Sequence, residues 1–521
     1  MPDHPQEMIA ALSDPAAYPP PVDRVELVET HISWVFLAGE FAYKFKKPLD
    51  LGFLDFRERA RRLHYCREEL RLNGRLAPRI YLDVIGARAT REGWRIGQLS
   101  DDAEPAVRMR RFPAGARLDH CLESGRLEAT VLETFATELA RFQRALPPAR
   151  QDAGYGHAAA VARPAFNNFT ALPRENLDEQ AVAMLAGLEE WTRRHAVSLA
   201  GRFDARLAGG FIREGHGDMH LANLVMLDGK IAAFDGIEFD PALRWIDVQS
   251  EIAFLLMDLE SRGRADLGWR FCNAWLAALG DYDGLALLGW YLVYRHLVRA
   301  KIDGIRLAQP GLGAAESRRL RARQSTHIEL AARHAHPPQP LLVLMHGLSG
   351  SGKSHLARRL APLLPAAWVR SDLERKRLHG LDPLAAAPAQ VSTGLYSDAS
   401  SERTYTRLAQ VARMALGAGF NLVVDAAFLE SGRREDFVRL ALDSGARPVV
   451  LACEAPPALL RRRIAERRGD PSDAGLEVLE AQLAQGIEVG ALEARYRVTV
   501  DTSGDADAAT LAAGLRARNR A

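Results

Sequence analysis

Apolar and polar positions divide this chain into stretches of different period. Val25–Val28, Trp34–Leu37 and Phe41–Phe45 are short β-prone runs parted by turn residues such as Gly39, and they predict strands. Arg57–Leu76 predicts a helix, with Leu63, Cys66, Leu70 and Leu76 on its buried side. Strands follow at Arg79–Ile85, Trp94–Leu99 and Val107–Phe112, and Pro113-Ala-Gly115 ends that run. Leu118–Leu146 and Arg163–Leu207 read as amphipathic helices. Strand-like runs return at Leu224–Leu227 and Lys230–Phe234, and from Leu255 to about Ala335 helix follows helix. Pro337, Pro338 and Pro340 stop that series and mark a linker over 331–340. Beyond it β and α segments alternate, with strands at Leu341–Met345, Ala366–Val369 and Phe420–Asp425, as a doubly wound parallel sheet requires. Residues 1–23, with Pro19-Pro-Pro21, read as a tether or lid.

Length turns this pattern into domains, since 521 residues exceed what one core holds. The boundaries expected are a β-rich lobe over 24–112, a helical lobe over 113–330, and an α/β domain over 341–521. Lys+Arg 68 against Asp+Glu 66 leaves +2, which gives no electrostatic reason for a nucleic-acid or membrane partner. Cys66, Cys121, Cys272 and Cys453 show no C-x-x-C spacing, so buried thiols in a reducing cytoplasm are expected. No signal pattern opens the chain, and no apolar run is long enough to span a bilayer.

The most specific stretch is Gly347-Leu-Ser-Gly-Ser-Gly-Lys-Ser354, set between a strand and a helix. It fits the phosphate-binding loop G-x-x-x-x-G-K-[ST] at every fixed position. Gly347, Gly350 and Gly352 let the backbone curl around Ser351, so that N–H groups point at phosphate oxygens. Lys353 is then expected to reach the β- and γ-phosphates of ATP, and the Ser354 hydroxyl to sit on Mg²⁺. Asp425, ending an apolar strand, has the Walker B place behind that metal. Asp372, after the second strand, stands where an acceptor hydroxyl approaches and reads as a general base; Ser371 or Asp372 could also cap the helix that follows, and both roles can hold together. Arg463 and Arg467 share one helical face and read either as a phosphate clamp or as a solvated basic face.

A second motif is His216-Gly-Asp-Met-His-Leu-Ala-Asn223. Asp218 and Asn223 have the spacing of the base and metal-binding amide in H-R-D-L-x-x-x-N. Asp235 ends the hairpin that follows, with Glu238 and Asp240 beyond it. Lys44 and Lys46 lie on one side of a strand, and Glu69 sits in the following helix, next to Glu68. His216 and His220 are four apart, but Gly217 stands where a zinc H-E-x-x-H needs Glu. His334 and His336, in the linker, read as exposed residues and not as metal ligands.

The loop HGDMHLAN resembles the HGDxHxxN loop of the aminoglycoside phosphotransferase family, a branch of the protein-kinase-like fold. That resemblance implies an α+β bilobal domain in which Asp218 is the base and Asn223 and Asp235 hold metal. It implies that Lys44 and Glu69 form the ion pair on the nucleotide, although no G-x-G-x-x-G precedes Lys44 and Lys46 stays a rival. The second half resembles small P-loop kinases related to polynucleotide kinase, zeta toxin and gluconate kinase, through GLSGSGKS, Ser371-Asp372 with Arg375, and R-x-x-x-R before Asp470-Pro-Ser-Asp-Ala474. The whole resembles bacterial fusions of these two modules, also described as AAA family ATPases. The expectation is a cytoplasmic, bifunctional kinase using ATP and Mg²⁺ on hydroxyl acceptors, with nucleic acid only as a substrate of the P-loop half. The alternatives are that one module senses nucleotide and governs the other, or that the first is a pseudokinase.

Overall fold

In the computed structural model the described residues are 5–20, 22–50, 52, 54–91, 93–385, 395, 397–466 and 475–517. Arg467 and the stretch Asp470–Ala474 singled out above lie outside them. The chain forms two units. Unit 1 is Met1–Val131, Leu146–Gly156 and Arg206–Glu251; unit 2 is Leu132–Ala145, His157–Ala205 and Ile252–Ala521.

Unit 1 is built on an antiparallel sheet of β1 (Val25–Glu29), β2 (Ser33–Ala38), β3 (Phe41–Lys46), β4 (Tyr81–Thr90), β5 (Gly93–Gly97) and β6 (Glu104–Arg110), in the order β1-β2-β3-β6-β4-β5. β3 is therefore interior, with Lys44 opposite Val35 on one neighbour and Val107 on the other. Strand alternation sends Tyr43 and Phe45 to one face, against Trp34 and Phe36. Helix Pro5–Leu12 closes that face with Met8 and Leu12, both buried. The expected N-terminal tether is thus corrected: its apolar residues complete the core of the sheet.

The opposite face carries Lys44 and Lys46, and helix Arg59–Asn73 packs there. Its buried side is Arg62, Cys66, Glu69, Leu72 and Asn73, while Leu63, Leu70 and Leu76 are only half-buried. The predicted face is rotated because ion pairs let charge go inside. Arg62 bonds both carboxylate oxygens of Glu104, at 2.5 and 2.7 Å. Two small sheets complete unit 1. β7 (Ile212–Glu214) pairs with β10 (Trp245–Asp247), and β8 (Leu224–Leu227) forms a hairpin with β9 (Lys230–Ala233).

Unit 2 combines helices with a parallel sheet of β11 (Leu341–His346), β12 (Ala366–Arg370), β13 (Asn421–Asp425), β14 (Arg447–Glu454) and β15 (Arg497–Asp501), ordered β12-β13-β11-β14-β15. Leu341, Val343 and Met345 face helices Lys353–Leu363 and Ala508–Ala517. Leu342 and Leu344 face the other side, where helices Asp398–Gly417 and Ser431–Asp443 pack. Both faces are covered, which is why β11 reads as an unbroken apolar run. Helix Ala314–Ala335 takes in the first half of the expected linker, leaving 336–340 as the connection into β11.

The outer edge of β12 meets helix Ala265–Leu279. The Asn273 side chain donates to Ala366 O at 3.0 Å and accepts from Trp368 N at 2.8 Å. Tyr282 Oη donates to Trp368 O at 3.1 Å. These side chains satisfy main-chain groups that an edge strand leaves unpaired. All four cysteines are buried and unpaired. Among the described residues no helix is long and apolar enough to cross a membrane.

Candidate active sites

The site in unit 1 begins with the two lysines of β3. Lys44 Nζ bonds Glu69 Oε1 at 2.8 Å and Asp235 Oδ1 at 2.5 Å. Lys46 Nζ bonds Glu69 Oε2 at 2.6 Å and also pairs with Glu238. One carboxylate therefore holds both cations, an oxygen to each. The environments differ. The Lys46 side chain is 0% exposed and its second partner Glu238 only 4%, whereas Asp235, the second partner of Lys44, is 48% exposed. Lys44 thus stands at the opening and Lys46 in the wall.

Charge keeps this cluster ionised. Burial pushes the Glu69 carboxyl up, but Lys44 and Lys46 outweigh it and hold the group at about 2. Burial presses the Lys44 ammonium down, and Asp235 and Glu69 more than reverse this. Glu238 is raised, chiefly by burial.

Asp235 has φ +60, a left-handed conformation uncommon for any residue but glycine. The turn is fixed from outside. Asp235 N donates to Tyr81 Oη at 3.0 Å, and Gly236 N donates to Asn73 Oδ1 at 2.7 Å. The loop from His216 is held in the same manner, since Glu251 accepts from His216 N at 2.9 Å and Gly217 N at 3.0 Å. No side chain fits at Gly215, where a Cβ would lie 1.7 Å from Glu251 Oε2. Asn223 Nδ2 donates to Asp218 Oδ2 at 2.9 Å and Asp218 O at 3.0 Å, and His220 Nε2 lies 3.4 Å from the same carboxylate oxygen. His216 places Nε2 2.9 Å from Phe234 O and accepts from Asp218 N at Nδ1. Both of its nitrogens serve the loop, which leaves none for zinc.

The site in unit 2 surrounds Gly347–Ser354. Gly347 (φ +142) and Gly350 (φ +79) lie where a Cβ would meet Cys453 O at 2.5 Å and Leu460 O at 2.9 Å. Glycine is needed there for dihedral and for room. Lys353 opens helix Lys353–Leu363, and its Nζ bonds Gly347 O and Leu348 O, both at 2.8 Å. The Ser354 hydroxyl adjoins the Asp425 carboxylate, whose pKa is raised, chiefly by burial. Asp425 Oδ2 is buried without a hydrogen-bond partner, and Arg370 Nε is 4.0 Å from it. A buried carboxylate oxygen beside a hydroxyl at the foot of a phosphate loop suits a hard divalent cation such as Mg²⁺.

A cavity of about 640 Å³ joins these groups, with Lys353, Asp372, Asp425, Arg375 and Arg433 in its lining. Asp372 lies in the first turn of helix Ser371–Leu378, whose N-cap is Arg370 with no side-chain cap bond; the capping alternative for Asp372 therefore falls away. Arg463 also lines the cavity, yet its guanidinium bonds main-chain carbonyls, Thr502 O at 2.7 Å and Gly350 O at 3.4 Å. It braces the loop. Ser351 contributes its carbonyl, which accepts from Thr502 Oγ1 at 2.7 Å.

Sequence reasoning gave no role to Glu238, Glu251, Arg370 or Arg433. Arg433 lies 4.5 Å from the Tyr405 ring centre in the cavity wall, and Arg370 lies 5.0 Å from that of Trp368. Glu238 and Glu251 stood near the recognised loop, but nothing in their spacing marks a partner on another element.

Comparison with known proteins gives likenesses of three kinds. Residues 342–486 match a family model described as AAA domain. Uncharacterized proteins of Mycobacterium tuberculosis and Mycobacterium bovis are 33% identical over 466 residues, 88% of this chain and 90% of theirs. Among solved structures, a choline/ethanolamine kinase family protein from Mesorhizobium loti is 14% identical, covering 62% of this chain and 97% of its own, at TM-score 0.34. A gluconokinase from Sinorhizobium meliloti is 20% identical, covering 35% of this chain and 94% of its own, at TM-score 0.25.

Proposed function

The chain belongs to the family of these mycobacterial proteins, and from that premise we propose that it is an ATP- and Mg²⁺-dependent phosphotransferase with two phosphoryl-transfer modules, each acting on a hydroxyl acceptor. One observation carries the reading: a single chain holds both a lysine set between Glu69 and Asp235 and a separate glycine loop whose Ser354 adjoins the buried Asp425. Phosphoryl transfer asks a protein mainly for positioning and charge, and both sets supply these.

In unit 1, Lys44 neutralises the α- and β-phosphates, with Glu69 fixing its ammonium. Asp218 takes the acceptor proton. Asn223 and Asp235 hold the metal. In unit 2, the amides of the loop, with Lys353, hold the phosphates, Ser354 and Asp425 hold the metal, and Asp372 takes the acceptor proton. Arg463 borders the phosphate side. Bound with ATP, Mg²⁺ would be held by Asn223 and Asp235 in unit 1 and by Ser354 and Asp425 in unit 2, and would supply positive charge against the charge that develops on transfer.

Separate Asp218→Asn and Asp372→Asn proteins test this. ATP consumption is measured against pooled sugars, nucleosides, RNA 5′ ends and aminoglycosides. Each change is expected to remove one acceptor-dependent activity and spare the other. A second reading makes one module the regulator of the other. If Lys353→Ala and Asp218→Asn each abolish all turnover in folded protein, the regulatory reading replaces independent modules.

A further inference from the structure

The end of helix Val248–Ser261, the middle of helix Leu285–Leu307 and the last turns of helix Ala314–Ala335 bring together side chains that no phosphoryl-transfer role uses. Glu260, His296 and His334 place one ligand atom each within 4.8 Å of one another. His334 Nε2 is 2.7 Å from Glu260 Oε2, and His296 Nε2 is 3.7 Å from the same oxygen. His296 is wholly buried, and its Nε2 has no hydrogen-bond partner. Whichever tautomer it takes, an imidazole nitrogen is left unsatisfied in the interior and directed at a carboxylate, an arrangement that costs free energy as it stands. Its other nitrogen is engaged, with Nδ1 3.0 Å from His327 Nδ1.

We propose that Glu260, His296 and His334 form a zinc site that ties these three helices together ahead of the connection into β11. The donor set is two imidazoles and one carboxylate, which suits Zn²⁺ and not Mg²⁺ or Ca²⁺, whose ligands are oxygens. Tetrahedral zinc with bonds of about 2.0–2.1 Å sets its ligand atoms roughly 3.3 Å apart. The separations of His334 Nε2 and His296 Nε2 from Glu260 Oε2, 2.7 and 3.7 Å, straddle that value, so small side-chain shifts suffice. His327 gives His296 the second partner that metal-bound histidines keep, fixing its ring. Glu260 and His334 are part-exposed, at 17% and 16%, which supplies an entry path and leaves the fourth position to water. Zn²⁺ would take the place of the contact between His334 Nε2 and Glu260 Oε2. The expectation that His334 is an exposed linker residue is therefore corrected; His336 is exposed.

The test uses the full chain, stripped with chelator and titrated with Zn²⁺ in excess Mg²⁺ by calorimetry. One equivalent is expected, together with a rise in melting temperature. His334→Ala and Glu260→Gln are expected to weaken binding by roughly tenfold or more. His336→Ala, a neighbouring histidine outside the cluster, should leave it unchanged. Co²⁺ loaded on the unaltered protein should give the intense visible bands of four-coordinate cobalt, a readout independent of how the variants fold. Absence of stoichiometric binding, a six-coordinate cobalt spectrum, or full affinity in both ligand variants would overturn the site.

Discussion

Replacing Lys44 and Lys46 one at a time by Met separates two lysines that the sequence leaves equivalent. Met keeps the unbranched stem, one atom shorter, and removes the charge. Without Lys46, Glu238 loses its cation while 4% exposed, and Glu69 keeps only Lys44. Removing one partner of a buried pair costs about 3–5 kcal/mol, because the remaining charge is left without compensation. Without Lys44, Glu69 still holds Lys46, and Asp235, half-exposed, turns to water. The cost there is about 1–2 kcal/mol. Hydrogen exchange read by mass spectrometry on peptides spanning β3 and helix Arg59–Asn73 resolves the difference locally, which a global melt of two units does not. Lys46→Met should exchange at least ~100-fold faster there, since each 1.4 kcal/mol is about tenfold. Lys44→Met should change exchange by roughly tenfold and instead lose nucleotide. Measured in a Lys353→Ala background, so that unit 2 is silent, ATP affinity should fall about 10–100-fold, the worth of a charge-assisted bond. If Lys46→Met exchanges within threefold of the parent, or if Lys44→Met binds ATP as the parent does, this division between wall and site is wrong.

Other outcomes follow from single groups. Glu69 is held at about 2 against an ordinary 4.5, so its ionised form stabilises unit 1 by about 3 kcal/mol. That contribution is complete above about pH 4.5 and declines as pH falls toward 2; Glu69→Gln should flatten this part of the pH–stability curve, read by exchange on the same peptides. Asp425→Asn removes a buried charge with an unpartnered oxygen. It should leave the melting temperature of nucleotide-free protein unchanged or higher and lose the rise that Mg²⁺–ATP gives; a lower melting temperature without nucleotide would refute the cation-site reading. Asn273→Ala deletes two bonds to β12 and leaves Ala366 O and Trp368 N without these partners. The expected cost is about 1–3 kcal/mol, seen as faster exchange confined to Ala366–Arg370.

The sequence by itself determined the local elements and the loops that name the chemistry. Glycines at Gly347, Gly350 and Gly352 between a strand and a helix, and the spacing of Asp218 to Asn223, are short-range facts; a loop needs them wherever it folds. The apolar run of β11 and the proline stop before it were equally plain, because period and punctuation are local. Tertiary structure decided everything that depends on a partner far along the chain. Which lysine faces the opening was set by Asp235 and Glu238, about two hundred positions away, through one shared carboxylate on Glu69. The inner face of helix Arg59–Asn73 was misjudged because hydropathy counts Arg62 and Glu69 as outward, and only a counter-ion in reach makes burial of a charge tolerable. The N-terminal segment looked like a tether until Met8 and Leu12 met the sheet. His296, His327 and His334 carried no motif, since their meeting depends on how three helices cross. Periodicity records which side of an element is apolar; the identity of a charge's partner is written only in the packing.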